Sequence, residues 1–147
     1  MDLHYPGRRQ NFVIESLRNL GGLAFVLFVA GCVPVVLYDN VTADRLASLG
    51  SEMLALYDTF AQEPMDERRV EMIRAKLRAT YDYEASKGKR NIDTIRRIEA
   101  LQLLFERHVV DRTAQQWTKK VTDEFKSQAG ELILGMIALE EGKPVSP

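Results

Sequence analysis

Nineteen consecutive residues near the N-terminus, Leu20 to Tyr38, carry no charged side chain. An α-helix of this length, rising about 1.5 Å per residue, would measure about 28 Å, close to the roughly 30 Å thickness of the hydrocarbon core of a bilayer. Eleven residues of the run are Leu, Phe or Val, and together they favour insertion by about 3 to 7 kcal/mol. The run therefore predicts a transmembrane helix over residues 20–38 rather than a buried helix or strand of a soluble core.

The same run admits a second interpretation, that of a secretory signal. Val29, Ala30 and Gly31 before Cys32 resemble the small residues that precede a lipid-modified cysteine. However, the run continues for six residues beyond Cys32, and Glu15 lies within the helix-like lead that precedes it. Because the apolar region of a signal peptide ends sooner, we expect a retained anchor, with lipid attachment at Cys32 as the alternative.

Basic residues are unevenly distributed on the two sides of the run. Arg8, Arg9 and Arg18 precede it, whereas Arg45 is the only one among the twenty residues that follow it. Basic residues close to a span favour the cytoplasmic side, so the N-terminus is predicted to face the cytoplasm or, in a mitochondrion, the matrix. Residues 1–19 are interpreted as an arm in which a helix begins at the membrane interface.

Small residues and one proline interrupt the run. Small side chains allow helices to approach each other closely in a membrane, and a proline there is tolerated where neighbouring protein satisfies the freed carbonyl group. We therefore predict that the membrane helix packs against other membrane helices at Gly21, Gly22, Gly31 and Pro34.

Residues 39–139 predict a helical extramembrane domain. Glycine and proline are sparse there, and apolar residues recur at steps of three and four, which is typical of amphipathic helices. The first stripe consists of Leu46, Leu49, Met53, Leu56, Tyr57 and Phe60, and the second of Val70, Ile73, Leu77, Thr80, Tyr81 and Glu84. Thr42 or Asp44 is expected to cap the first helix, and Asp66 with Glu67 suits the start of the second. The predicted fold class is therefore all-α, with a single transmembrane helix near the N-terminus.

A third helical stretch opens at Asn91 or Asp93 and contains no Gly or Pro before Gly130. Its apolar face thins between Val110 and Trp117, so the sequence predicts either one long C-terminal helix or a helical hairpin. The face of the second half, predicted to meet a partner protein, consists of Trp117, Val121, Phe125, Leu132 and Met136. A polar tail is predicted over residues 140–147.

The charge balance and the cysteine count exclude several classes of protein. Lys and Arg number 20 against 21 Asp and Glu, which gives a net charge of -1 and no overall basic footprint for nucleic acid. Ten basic residues between Arg68 and Arg97 are interspersed with acidic ones and are interpreted as a solvated charged face. One cysteine and two histidines are too few for an internal disulfide or a four-ligand zinc site. We predict no nucleic-acid partner, no metal and no cofactor.

The candidate catalytic groups all have structural interpretations. His108 has no second histidine four residues away and is predicted to be a solvated histidine on a helix. Acidic residues in close sequence neighbourhood point away from each other on a helix, so three pairs are interpreted as solvated: Asp66 with Glu67, Asp82 with Glu84, and Glu140 with Glu141. We predict that the chain is not an enzyme and has no small-molecule substrate.

These patterns indicate interaction rather than chemistry. The leading hypothesis is a non-catalytic accessory subunit of a multi-subunit membrane complex, in contact with the bilayer and with other subunits. Its expected setting is the mitochondrial inner membrane, in a respiratory-chain complex or the ATP synthase, with the N-terminus on the matrix side. The alternative is a helical component of a bacterial secretion, division or motor machine, anchored in the inner membrane.

Overall fold

A computed structural model describes residues 36–145, and within them the secondary structure is helical, with no strand. The four α-helices are α1 (Asn40–Tyr57), α2 (Glu67–Ser86), α3 (Ile92–Ala114) and α4 (Lys119–Glu141). A single 3₁₀ turn, Lys89–Asn91, leads from α2 into α3. The all-α prediction is confirmed for this part of the chain.

The four helices form an antiparallel bundle. Each helix packs against the next, and α4 packs back against α1, which closes the ring. Contacts at opposite ends fix the direction of α4 relative to α1: the Asp39 N–H donates to Glu140 over 3.0 Å, while the Lys126 ammonium lies 2.5 Å from an Asp58 carboxylate oxygen. Short connections between antiparallel neighbours are characteristic of up-and-down bundles.

Both predicted apolar stripes of α1 and α2 face the interior of the bundle. Tyr57, Phe60 and Phe105 are the largest of the fully buried side chains of the core. The other buried apolar residues of this cluster are Leu46, Leu49, Met53, Leu56, Val70, Ile73, Leu77, Ile98, Leu101, Val109, Trp117, Ala129, Ile133 and Met136. The stripe spacing therefore correctly identified the faces that meet in the core.

Side-chain caps set the starts of α1 and α2. Asp39 caps α1 by accepting from the Val41 N–H over 2.9 Å, so the predicted caps Thr42 and Asp44 lie inside the helix instead. The cap moves upstream because Thr42 is drawn into the interior, where its hydroxyl group is bonded to a carboxylate of α2. Asp66 caps α2 as expected, accepting from the Arg69 N–H over 3.0 Å.

The third helical stretch is broken, so the helical hairpin rather than the long helix is observed. α3 ends at Ala114, and Gln115 adopts an extended conformation (φ -151, ψ 145). The indole N–H of Trp117 then donates to Asp111 over 2.9 Å, which turns the chain back onto α3 where the apolar face thins. The break follows because Trp117 buries its ring in the core only if the chain reverses there.

The two ends of the bundle differ from the predicted boundaries, once at each end. Val36, Leu37 and Tyr38, the last residues of the uncharged run, belong to no helix, so the predicted helix does not include them. α4 continues to Glu141, which moves the start of the polar tail beyond the predicted residue 140. This extension follows because Glu140 is buried and bonded to the start of α1.

The residues predicted to face a partner protein, which lie on α4 and just before it, are turned toward the interior of the bundle. Trp117 and Met136 are buried in the core of the bundle, while Val121, Phe125 and Leu132 are half-buried and pack against it. The face predicted to meet another protein is thus covered by the chain's own helices, because α3 and α4 form a hairpin whose apolar sides meet each other and α1.

Gly50 is the position where the close packing of α1 and α4 is most sensitive. An added Cβ there would lie 2.6 Å from Cγ2 of Ile133. Alanine improves helix propensity by about 1 kcal/mol, but overpacking costs about 1 to 3 kcal/mol. We expect Gly50→Ala to lower the free energy of unfolding by about 1 kcal/mol, measured by urea denaturation followed by circular dichroism.

Gly130→Ala is the matched control for this substitution, since a Cβ at Gly130 would meet only Leu54, at 3.8 Å. This second variant should be as stable as the parent protein or more stable. A Gly50→Ala protein that gains stability to the same extent as Gly130→Ala would contradict the packing described here.

Candidate functional site

A cluster of buried and half-buried charged and polar side chains lies at the end of the bundle where the chain enters α1. We call it the basal cluster; its members are Asp39, Thr42, Tyr83, Glu84, Lys87, Asn91, Glu140 and Lys143. They come from the start of α1, the end of α2, the turn before α3 and the end of α4. The antiparallel topology alone brings these segments together.

Glu84 lies at the centre of the cluster and is fully buried. One carboxylate oxygen accepts from the Thr42 hydroxyl group over 2.5 Å and from the Lys87 ammonium over 2.7 Å. The other oxygen accepts from the Asn91 amide over 3.1 Å. Burying a carboxylate is tolerated when its oxygen atoms are paired and hydrogen-bonded in this way.

Asp39 connects the cap of α1 to the same lysine. Its carboxylate lies 2.5 Å from the Lys87 ammonium and accepts from the Tyr83 hydroxyl group over 2.9 Å. Burial alone would raise the pKa of Asp39, but the hydrogen bonds from Lys87, Tyr83 and the Val41 N–H, with the charge of Lys87, lower this pKa to about 2. Asp39 is therefore ionised at every physiological pH.

Glu140 binds the last helix to the first. It is buried, accepts from the Asp39 backbone N–H over 3.0 Å and is paired with Lys143. The N–H of Tyr38, one residue before Asp39, donates to the Pro144 carbonyl over 2.8 Å. The segment that enters the bundle and the segment that leaves it are thus bonded to each other.

Two lysines balance most of the negative charge of the basal cluster. Lys87 pairs with both Asp39 and Glu84, and Lys143 pairs with Glu140. Desolvation would lower the pKa of Lys87, yet the hydrogen bonds and charges of Asp39 and Glu84 raise it, so the ammonium form is favoured. Because internal partners hold these groups, the cluster fixes the start of α1 and the ends of α2 and α4 relative to one another.

The prediction of solvated acidic pairs is wrong for Glu84 and Glu140, since both are buried. A signal for each was present in the sequence. Glu84 continues the buried stripe of α2, and Glu140 follows Ile133 and Met136 at the same helical spacing. The prediction considered each carboxylate only together with its neighbour in the chain. It missed this signal because burial depends on the helix face and not on the adjacent residue.

The prediction of a solvated His108 is also wrong. Its side chain is buried, at the opposite end of the bundle from the basal cluster. Its Nδ1 atom lies 2.6 Å from the Tyr57 hydroxyl oxygen, and its ring stacks on Phe125 with centroids 4.4 Å apart. Burial lowers the pKa of His108 and raises that of Tyr57. We therefore assign the Tyr57 hydroxyl group as the donor to a neutral imidazole.

Arg112 lies one turn beyond His108 and secures the loop between α1 and α2. Its guanidinium group donates to the carbonyl groups of Phe60 and Gln62 over 2.5 and 2.7 Å and pairs with Glu63 at 2.7 Å. The stripe of α3 continues through positions 98, 101, 105, 108 and 112, all of which are buried. His108 and Arg112 are thus polar members of an otherwise apolar face.

A shallow groove of about 510 Å³ runs between α2 and α3 on the surface. Arg74 lies along it and pairs with Glu71 and Glu106, as expected for a charged face whose basic residues are interspersed with acidic ones. Across residues 36–145, no group of three or more His, Cys, Asp or Glu side chains is arranged to hold a metal ion.

The predicted membrane-packing residues Gly21, Gly22, Gly31 and Pro34 lie outside the residues that the structure describes, as do the arm over 1–19 and Cys32. Among the helices of residues 36–145, none combines the length and the apolarity required to cross a bilayer. Comparison of the chain with protein-family models, curated proteins and solved structures gave no match.

Proposed function

We propose that this protein is a membrane-anchored, non-catalytic accessory subunit of a multi-subunit membrane complex, in which it acts in assembly and stabilisation. The observation that carries the proposal is the way Asp39 is held. This residue directly follows the uncharged run, and both its backbone N–H and its carboxylate are bonded inside the basal cluster. The residue that directly follows the run is therefore held in place within the bundle by bonds to α2 and α4.

Order at this end of the bundle suits a structural subunit for a physical reason. Each contact with a neighbouring protein must overcome the loss of conformational freedom of the groups that make it. Bonds from α2 and α4 to Asp39 and Thr42 order the start of α1 in advance. A bundle end that is already ordered can then bind neighbouring subunits at a lower entropic cost.

The proposed setting is the mitochondrial inner membrane, in a respiratory-chain complex or the ATP synthase, because small subunits with one span are most numerous there. Partners are then other subunits and the bilayer. The small residues before Cys32 favour one alternative, an anchored component of a bacterial envelope machine. Intact-mass measurement of the native protein distinguishes the two, since a diacylglycerol on Cys32 would support the bacterial alternative.

The proposal is tested by isolating the protein from native membranes. Washing the membranes with alkaline carbonate should leave it in the pellet, and purification in mild detergent should recover it with stoichiometric partners on a native gel. Release into the supernatant would refute anchoring. Elution as a free monomer of 16.7 kDa from membranes solubilised in mild detergent would refute membership of a complex.

A charge in the middle of the uncharged run tests the anchor directly. Val29→Lys should reduce insertion by about 3 kcal/mol and move most of the protein to the carbonate supernatant, as seen by immunoblotting of the two fractions. Val29→Leu is the matched control and should remain in the pellet. Equal retention of the two variants would show that the run does not anchor the chain.

A further inference from the structure

The end of the bundle that carries the basal cluster is also unusually apolar on its outside. Of the eight large apolar side chains that are exposed within residues 36–145, four lie at this end. They are Leu37 before α1, Val41 in its first turn, Ile92 at the start of α3 and Val145 after α4, with exposed fractions of 45, 40, 42 and 75%. We call this surface the basal face.

Three separate chain segments contribute to the basal face, and the bonds of the basal cluster hold them together. The Tyr38–Pro144 hydrogen bond of 2.8 Å places Leu37 beside the segment that carries Val145. The Lys143 ammonium lies 3.4 Å from the Thr94 hydroxyl group, which places the start of α3 next to the end of α4. The four exposed side chains thus share one end of the fold.

Exposed charges of both signs surround the basal face. Asp39, Glu84 and Glu140 turn inward to Lys87 and Lys143. Lys89 and Arg90 lie exposed on the turn between α2 and α3, next to Ile92, and the acidic Asp93 and Glu141 are also exposed at this end. Long basic side chains beside exposed apolar ones are typical of surfaces that rest at the boundary between headgroups and acyl chains.

We propose that the basal face docks on the surface of the lipid bilayer. This inference rests on the proposed function, because it requires the uncharged run to be in the membrane. Lipid is favoured over a protein partner by continuity in the sequence. Leu37 belongs both to the uncharged run and to the basal face, so the exposed apolar surface is contiguous in the chain with the segment proposed to enter the bilayer.

The proposal is tested with the full chain in lipid vesicles that contain a headgroup-linked nitroxide. Cys32→Ser removes the only native thiol, and a fluorophore is then placed on one new cysteine at a time. Ile92→Cys and Val145→Cys report the basal face. Val110→Cys is the matched control, because Val110 is also exposed on α3 but lies about 27 Å further along it.

Fluorescence at positions 92 and 145 should be quenched several-fold more strongly by the nitroxide than at position 110. The docking proposal is overturned if the labelled chain resists carbonate washing but all three positions are quenched equally, or if position 110 is quenched most. It is also overturned if positions 92 and 145 are shielded from both the nitroxide and aqueous iodide, since a protein then covers them. Release of the labelled chain by carbonate refutes the anchor instead, which separates the two failures.

Discussion

Replacement of Glu84 by alanine is expected to lower the free energy of unfolding by about 3 to 5 kcal/mol, the usual cost of removing one member of a buried ion pair. The loss is large because three groups depend on this carboxylate. Lys87, Thr42 and Asn91 would each lose a hydrogen-bond acceptor, and Thr42 and Asn91 are themselves buried. The measurement is urea denaturation of the full chain in detergent, followed by far-UV circular dichroism.

Two further variants separate the charge of Glu84 from its shape. Glu84→Gln keeps the side-chain length and should lose less stability than Glu84→Ala. The double variant Glu84→Leu with Lys87→Met should recover only part of the stability, because it removes the unpaired lysine but also takes the ammonium partner from Asp39. If Glu84→Ala lost no more stability than a substitution at the exposed Glu141, the buried network described here would be incorrect.

Replacement of His108 by alanine is expected to cost about 3 to 5 kcal/mol, contrary to the near-silent effect that a solvated histidine implies. Alanine would leave a cavity next to Phe125 and Trp117, whose ring centroids lie 4.4 and 5.9 Å from that of His108, and cavities of this kind are costly. The Tyr57 hydroxyl group would also lose its acceptor, which adds the desolvation of an unpaired donor. Thermal and urea unfolding measure the loss.

The control His108→Phe fills the space but cannot accept from Tyr57, so its loss should be intermediate. It also isolates a pH effect. Because burial, with the nearby charge of Arg107, lowers the pKa of His108 below its ordinary value of 6.5, the unfolded chain takes up a proton more readily than the folded one. The stability that the folded chain gains from keeping His108 neutral is complete above pH 6.5 and is lost as the pH drops through the lowered pKa of the folded state.

The stability difference between the parent protein and His108→Phe should therefore shrink as the pH is lowered below 6.5. Asp111 opposes the shift by favouring the charged form, so Asp111→Asn should make the acid loss steeper. A stability difference that stays constant across this range would show that His108 titrates equally in the folded and unfolded chain, which burial does not allow.

Local patterns in the sequence predicted the helices of residues 36–145 well. Asp66 was expected at the start of the second helix, and it caps α2. Gly88, which follows α2, has the positive φ of 79° that glycine adopts without strain. These features are predictable because a cap or a helix end depends on a few neighbouring residues.

The buried polar groups could not be predicted in the same way, although their positions on the helical stripes pointed inward. The partner of Glu84 in α1 is 42 residues away, and the partner of His108 is 51 residues away. Neither separation follows a local rule. Treating Glu84 as one of a pair with Asp82, and His108 as a lone histidine, considered only their neighbours in the chain.

The sequence by itself determined that residues 39–139 are mostly helical, which faces of the first two helices are apolar and where the third stretch loses its apolar face. Only the tertiary structure decided that this stretch turns back as a hairpin, that the apolar face of α4 is covered by α1 and α3, and that Glu84, Glu140 and His108 are inside. The physical reason is that helical spacing reports which way a side chain points, whereas burial of a charged or polar group depends on the partner that another helix places opposite it.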